Sequence, residues 1–491
     1  MARMLLLSPP YVRNYMRNAR CDYVSISQAN YYPLWLAYAG ALLEKRGHTV
    51  QLIDAPVLRL SHEETLDLVR EFQPDWTVVY ASTKSQDNDI RFGEMVKQET
   101  GSRLVYVGPF VSIDPAAVLA QSEAIDAAVI REFDYPLVEL ADGWEFSQIK
   151  NLFYRLDGQI VHNEIRPLLG TAELDEIPFV TAFYKRHLNI WDYKVPQQLY
   201  PFVDLLTGRG CAWGRCTFCL WVHTFVPGPV YNLRSIDNVI AEFRFVVEEM
   251  PEVKEIFVQD DMLTNERARE LSQGLLEAGI RIPWTCYAKA NLDAEVLRLM
   301  KRAGCRMIHV GYESLNRTVL KNIKKGASPR QYETFTRNAL EAGLEIHGDF
   351  LLGAPGETRE SMRETLRWAK RSGITTAQFE IINTYPTLPL YEQLKQEQAL
   401  EDDEPSYPHL SREEIRAFAK RAFAEFYFRP HYLKKVLTHP RDYFLTKLGP
   451  IGEMCKSIFF RRWKMGGGWT KAISARPADP ATSAPVSENR Q

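Results

Sequence analysis

Cys211, Cys216 and Cys219 fall within nine residues of one another, and they are the residues here whose type and spacing point most directly to chemistry. They lie in the stretch Thr207-Gly208-Arg209-Gly210-Cys211-Ala212-Trp213-Gly214-Arg215-Cys216-Thr217-Phe218-Cys219, directly after an apolar run over 202–206. Three thiolates on one loop can hold three irons of a [4Fe–4S] cluster and leave the fourth iron open to a ligand. A cluster held by four cysteines is usually an electron store, whereas an open iron is a place for a reaction. The same thiolates with His223 as a fourth ligand would suit a structural zinc site, and residue types alone leave that alternative open.

The elements that must position this loop follow from patterning. Apolar runs near 202–206, 255–259, 284–288, 307–311, 345–352 and 377–382 alternate with helical periodicity, giving six βα units. Six is too few for a closed eight-fold barrel, so an open six-stranded partial barrel is expected. Chemistry in such barrels collects at the carboxyl ends of the strands. Polar residues recur there: Asp260 and Asp261, Lys289 and Asn291, Glu313, and Asp349. Taken singly, each could be a strand-end cap. Taken together in order, they outline a substrate pocket.

An earlier block over 1–145 alternates in the same way, with five short apolar runs separated by helices, and predicts a doubly wound parallel sheet. Ligands of such sheets sit beyond the carboxyl ends of the strands. Those ends here include Ser82, Thr83, Lys84 and Ser85, and Gly108. Residues 146–200 read as a connector with a hairpin at Asp157-Gly158 and an aromatic-rich strap. Residues 201–390 hold the barrel, 391–473 a helical region whose first helix is capped by Ser411, and 474–491 a disordered Ala/Pro/Ser-rich tail.

Composition narrows the function classes. The chain has 491 residues with 60 basic and 62 acidic side chains, so no strong field recruits nucleic acid. The N-terminal apolar run is too short for a secretory signal, and no stretch of about 18 apolar residues is present to span a membrane. Seven cysteines, three of them clustered, suit a reducing compartment, so a cytoplasmic protein is expected. The segment 447–471 interleaves Leu448, Ile458, Phe459, Phe460 and Trp463 with Lys456, Arg461, Arg462 and Lys464. That pattern is suited to peripheral contact at the inner face of a membrane.

Several motifs together resemble the radical S-adenosylmethionine (SAM) superfamily, and within it the proteins that carry a cobalamin-binding domain. They are Thr207–Cys211, Cys216–Trp221, Ala288-Lys289-Ala290-Asn291, Val310-Gly311-Tyr312-Glu313-Ser314, Asn322-Ile323-Lys324-Lys325-Gly326 and Leu352-Gly353-Ala354-Pro355-Gly356-Glu357-Thr358. The motifs look closest to hopanoid-biosynthesis members assigned to ring contraction. The resemblance implies a flavodoxin-like, cobalamin-binding-type domain before the barrel, with Ser82, Thr83, Ser85 and Gly108 facing the corrin. It implies that Cys211, Cys216 and Cys219 ligate a [4Fe–4S] cluster and that Phe218 flanks the adenine of SAM. Glu313 would engage the amino group or ribose of SAM, and the turn from Gly353 to Gly356 would approach its adenine side. The cofactors implied are the cluster, SAM and cobalamin, with an electron donor of flavodoxin or ferredoxin type.

The chain departs from the family in two ways. Asp-x-His-x-x-Gly, the motif that supplies an imidazole to cobalt, is absent, so cobalamin is expected base-off without a histidine from the protein. The family spacing C-x3-C-x2-C is C-x4-C-x2-C here, and Gly214 can absorb the added residue at positive φ. The activity expected is reductive cleavage of SAM to a 5′-deoxyadenosyl radical, followed by rearrangement, as ring contraction, of a lipid-linked or isoprenoid-derived substrate. Cobalamin-dependent C-methylation of a small molecule or lipid is the second reading. A non-catalytic iron–sulfur or zinc protein is a distant third.

Overall fold

The apolar runs of the N-terminal block become strands β1 (Arg3–Ser8), β2 (Thr49–Asp54), β3 (Trp76–Tyr80), β4 (Arg103–Val107) and β5 (Ala127–Val129), paired in parallel in the order β2-β1-β3-β4-β5. The structure is a computed structural model that describes residues 1–17, 22–25 and 28–429. Both faces of the sheet are covered, which is why its strands read as near-continuous apolar runs. Leu5 and Leu7 pack with Leu66, Val69, Ile90 and Phe92 of the helices on one face. Met4 and Leu6 face the other way, into a core that runs without a break into the second domain.

The hairpin at Asp157-Gly158 forms, as β6 (Leu152–Leu156) and β7 (Gln159–His162), but it does more than connect. Strand β6 pairs antiparallel with β5 and extends the N-terminal sheet to seven strands. The rest of the connector packs as well: Tyr32 stacks between Tyr184 and Tyr193, with ring centroids 4.3 and 4.1 Å away.

The second sheet holds β8 (Phe202–Leu205), β11 (Glu255–Leu263), β12 (Trp284–Ala288), β13 (Cys305–Glu313), β14 (Glu345–Leu352) and β15 (Thr376–Ile381), all parallel and in chain order. Between β8 and β11 a two-stranded ribbon, β9 (Gly208–Cys211) and β10 (Val230–Leu233), carries the first cysteine. Strands β8 and β15 are the two edges of this sheet, so the barrel is open, as six βα units require. The helix Arg412–Tyr427 covers the β15 edge. A capping box of Ser411 and Glu414 starts it, and near its end the Tyr427 hydroxyl donates to the Ala377 carbonyl (2.7 Å) and accepts the Ala377 N–H (3.1 Å). Among the described residues no helix is long and apolar enough to cross a membrane. The basic–aromatic segment 447–471 and the tail 474–491 lie outside the described residues.

Asp204 on β8 shows what burying polar groups in this core costs. Its carboxylate accepts from the Tyr184 hydroxyl (2.8 Å) and the Gln259 amide (3.3 Å), yet burial still pushes the carboxyl up to about 7. An unfolded aspartate releases its proton near pH 3.9. Between those two values the native state binds more protons than the unfolded state, so this group makes stability fall as pH rises through that window. Asp204→Asn should therefore melt higher, relative to wild type, at pH 8 than at pH 5. Equal differences at the two pH values in thermal melts would contradict this.

Candidate active site

The cysteine loop is rooted on a buried carboxylate. Asp260, near the end of β11, is fully buried and accepts from the Thr207 N–H (2.6 Å), the Thr207 hydroxyl and the Tyr231 hydroxyl. It braces the ribbon from beneath. Asp261, one residue on, points to the opposite side of the strand and lines a cavity of about 50 Å³ that opens to solvent. Tyr31 and Trp35 of the N-terminal domain close that cavity against Arg209, Trp221 and Tyr287 of the barrel.

Cys211 ends β9, and the chain then turns through Gly214 at φ +54°, where an added Cβ would lie 2.2 Å from the Gly228 carbonyl. Only glycine fits, and its N–H donates to Cys211 Sγ (3.4 Å). All three thiols are half-buried and unpaired by disulfides. Burial raises the Cys216 thiol and pushes Cys219 up to about 12, so thiolates at these positions call for a positive partner such as iron. His223 donates its Nε2–H to the Cys216 carbonyl (3.1 Å), which leaves that nitrogen no lone pair for zinc. Two buried polar atoms flanking the third cysteine, Thr217 Oγ1 and Trp221 Nε1, have no hydrogen-bond partner among the described residues. Each such group costs roughly 1–3 kcal/mol unless a ligand satisfies it. Three thiols and two unsatisfied donors on one loop fit a bound cluster with a polar co-ligand.

One short segment ties this loop to the other strand ends. In Asn322–Gly326, the Ile323 carbonyl accepts from the Thr217 N–H (3.2 Å) and the Lys324 carbonyl from Trp213 Nε1 (2.8 Å). The Asn322 amide donates to the Pro355 carbonyl (2.9 Å), fixing the glycine turn, and Lys325 Nζ lies 2.6 Å from Glu313 Oε1. Glu313 is buried and holds φ at +61°, a conformation that costs a non-glycine residue energy and persists only where its surroundings enforce it. Burial raises its carboxyl and Lys325 opposes that shift. Burial works against the Lys325 ammonium, but Glu313, Cys216 and Tyr332 together outweigh it and raise the group, so Lys325 stays charged.

The remaining sequence-predicted residues separate into groups. Phe218 sits half-buried against the core beside the cysteines. Gly353 is buried, its N–H donating to Glu357 and its carbonyl accepting from Tyr407, while Gly356 is exposed. Lys289 is half-buried with Nζ 3.8 Å from the centre of the Trp213 ring, whereas Asn291 is exposed at the rim. Asp349 is half-buried, 3.2 Å from His347 Nε2. In the N-terminal domain, Ser82 and Ser85 are buried in a network with Tyr15, Arg17 and Asp89: Tyr15 to Ser82 is 2.6 Å, Ser85 to Asp89 2.7 Å and Arg17 to Asp89 2.5 Å. Thr83 is half-buried, and Gly108 opens the helix Pro109–Ile113 at φ +118°.

Patterning did not predict Arg209. Its guanidinium lies between the domains, Nη1 3.0 Å from Glu132 Oε1 and 2.7 Å from Asp134 Oδ2, and Nη2 3.0 Å from Asp134 Oδ1. Trp35 and Tyr38 cover it, with ring centres 4.7 and 5.3 Å away. The signal available in the sequence was a lone cation between two glycines of an otherwise apolar strand.

Comparison with known proteins agrees with this architecture. The signature of the radical SAM superfamily matches residues 205–369, and that of the B12 binding domain matches residues 21–141. An uncharacterized methyltransferase of Pyrococcus horikoshii is 30% identical over 421 residues, covering 82% of this chain and 89% of the relative. Cytidylyl-2-hydroxyethylphosphonate methyltransferase of Streptomyces wedmorensis is 26% identical over 408 residues, covering 71% and 75%. The solved structure of TsrM from Kitasatospora setae, a radical SAM methyltransferase with cobalamin and a [4Fe–4S] cluster bound, superposes with a TM-score of 0.63 at 19% identity, over 82% of this chain and 79% of that one. These relatives overturn the expectation of rearrangement by ring contraction, since they are methyltransferases over most of the chain's length. The hopanoid connection is likewise to methyl transfer: a hopanoid C-2 methylase of Rhodopseudomonas palustris is 24% identical over 253 residues, 49% of this chain and 47% of that one.

The Arg209 clamp yields a stability test. Removing the cation leaves two buried carboxylates unpaired, which for a buried pair costs roughly 3–5 kcal/mol. Arg209→Met should lose about that much in urea unfolding, and adding Glu132→Gln and Asp134→Asn should restore part of it. A loss below about 1 kcal/mol for the single variant would show that the clamp holds little.

Proposed function

The chain belongs to the radical SAM superfamily, among members that carry a B12-binding domain, and on that premise we propose that it is a cobalamin-dependent radical SAM C-methyltransferase of a small-molecule or lipid-derived substrate. The observation that carries this reading is the cysteine loop opening beside a cavity walled by both domains, where a radical generator and a methyl carrier can meet one substrate. Cys211, Cys216 and Cys219 would hold the cluster. Glu313, fixed by Lys325, and the turn from Gly353 to Gly356 would hold SAM. The loops at Thr83 and Gly108 would face cobalamin. When bound, the cluster with SAM supplies a 5′-deoxyadenosyl radical that takes a hydrogen atom from carbon, and cobalamin supplies the methyl group.

The chain's own residues bind, orient and exclude water. Trp35, Trp221 and Tyr287 give the cavity apolar walls, and Asp261 gives it an acceptor for a hydroxyl or amine of the substrate. Asp349, backed by His347, is a second acceptor at the strand ends. We infer a flavodoxin- or ferredoxin-type electron donor, because reductive cleavage of SAM at the cluster consumes an electron that has to be delivered to it. Peripheral membrane contact through 447–471 is a further proposal and concerns a segment outside the described residues.

Anaerobic reconstitution followed by iron, sulfide and cobalt analysis tests the reading. Wild type should retain about four irons, keep cobalamin through desalting, and form 5′-deoxyadenosine with transfer of label from methyl-labelled SAM to cobalamin. Replacing Cys211, Cys216 and Cys219 with alanine should abolish the cluster and all 5′-deoxyadenosine. Zinc in place of iron would refute the radical chemistry, and loss of cobalt on desalting would refute the methyl-transfer assignment.

A further inference from the structure

The cysteine spacer places an indole against a lysine. Trp213 sits between Cys211 and Cys216, where this chain has four residues and not the family's three. Its Nε1 is fixed by the Lys324 carbonyl (2.8 Å), and its ring fills the space over Gly326 so completely that a Cβ there would fall 2.0 Å from the ring. The face of the ring meets Lys289 Nζ at 3.8 Å, a distance at which a cation is held by the π system. The two lysines facing the cysteine loop are therefore unlike. Lys325 is neutralised by Glu313 at 2.6 Å. Lys289 forms no ion pair among the described residues; burial first, and Lys325 after it, lower its ammonium to about 8, while Cys216 and Cys211 favour the charged form.

We propose that Trp213 is a positioning residue that holds the uncompensated Lys289 ammonium beside the cluster-binding thiolates, and that this charge raises the reduction potential of the cluster. Adding an electron to a thiolate-ligated cluster makes it more negative, and a nearby cation in a half-buried setting favours the more negative state. The added spacer residue then has a physical purpose. A shorter loop would not carry an indole across to both the 324–326 turn and Lys289, and without the indole a flexible lysine stem would turn its charge to solvent.

The inference rests on the cluster assignment above, and the test separates the two. Redox titration of the reconstituted, SAM-free enzyme, followed by electron paramagnetic resonance, reads the ratio of reduced to oxidised cluster at a fixed potential. Lys289→Met should lower that ratio roughly tenfold, the scale expected for losing one unit charge in a half-buried setting, with iron and sulfide content unchanged. Lys289→Arg should restore most of it. Trp213→Leu should shift the ratio the same way, and combining it with Lys289→Met should add nothing further, since both remove one charge from one place. A wild-type ratio in Lys289→Met at full iron content would overturn the proposal and leave the cluster assignment intact. Additive shifts in the double variant would overturn the positioning role of Trp213. Failure of the wild type to take up iron would instead sink the cluster assignment itself.

Discussion

The architecture depends on one buried ion cluster, Arg209 with Glu132 and Asp134. A guanidinium taken out of water between two domains is tolerable only where carboxylates meet its planar fork, and here they do so with three hydrogen bonds under two aromatic rings. Arg209 stands two residues before Cys211, and its partners stand at the carboxyl end of β5 in the other domain. Neither the cysteine ribbon nor the end of the N-terminal sheet can shift without parting buried charges. The stacking of Trp35 on Trp221, two residues past Cys219, repeats the constraint from the far side of the loop.

A second constraint operates within the barrel. The Asn322–Gly326 segment offers two carbonyls to the cysteine loop, one amide to the glycine turn and one ammonium to Glu313. Three separate strand ends are thus referenced to five consecutive residues. That arrangement also accounts for the left-handed backbone at Glu313, because Lys325 and the close approach of Gly311 leave its carboxylate one place to go.

Much of this was legible in the sequence because period and spacing are local properties. The strand–helix alternation, the six-unit barrel, the Gly214 turn and the Ser411 cap each depend on residues a few positions apart. The clamp was not legible, since Arg209 and Asp134 are 75 residues apart and no local pattern pairs them. Asp260 and Asp261 look alike in sequence, yet strand alternation sends one under the loop and the other into the cavity. Ser82 and Ser85 sit at a strand end as expected, but the loop after β1 brings Tyr15 and Arg17 onto them. Lys325 was visible only as part of a motif without an assigned role. The reaction type was the poorest inference, because ring contraction and methylation use the same radical-generating residues and differ in what the cavity holds.

The hairpin β6–β7 bears on how such a chain can be divided. Composition changes near residue 145, and a boundary drawn there looks natural. A cut at that point would strip β5 of its antiparallel neighbour, bare a row of unpaired amides and carbonyls, and leave the remaining fragment with two orphan strands. The N-terminal unit that could be exchanged, expressed alone or recombined with another barrel therefore ends beyond His162. Even there it would carry Glu132 and Asp134 without their cation, so the two domains cannot be treated as interchangeable parts.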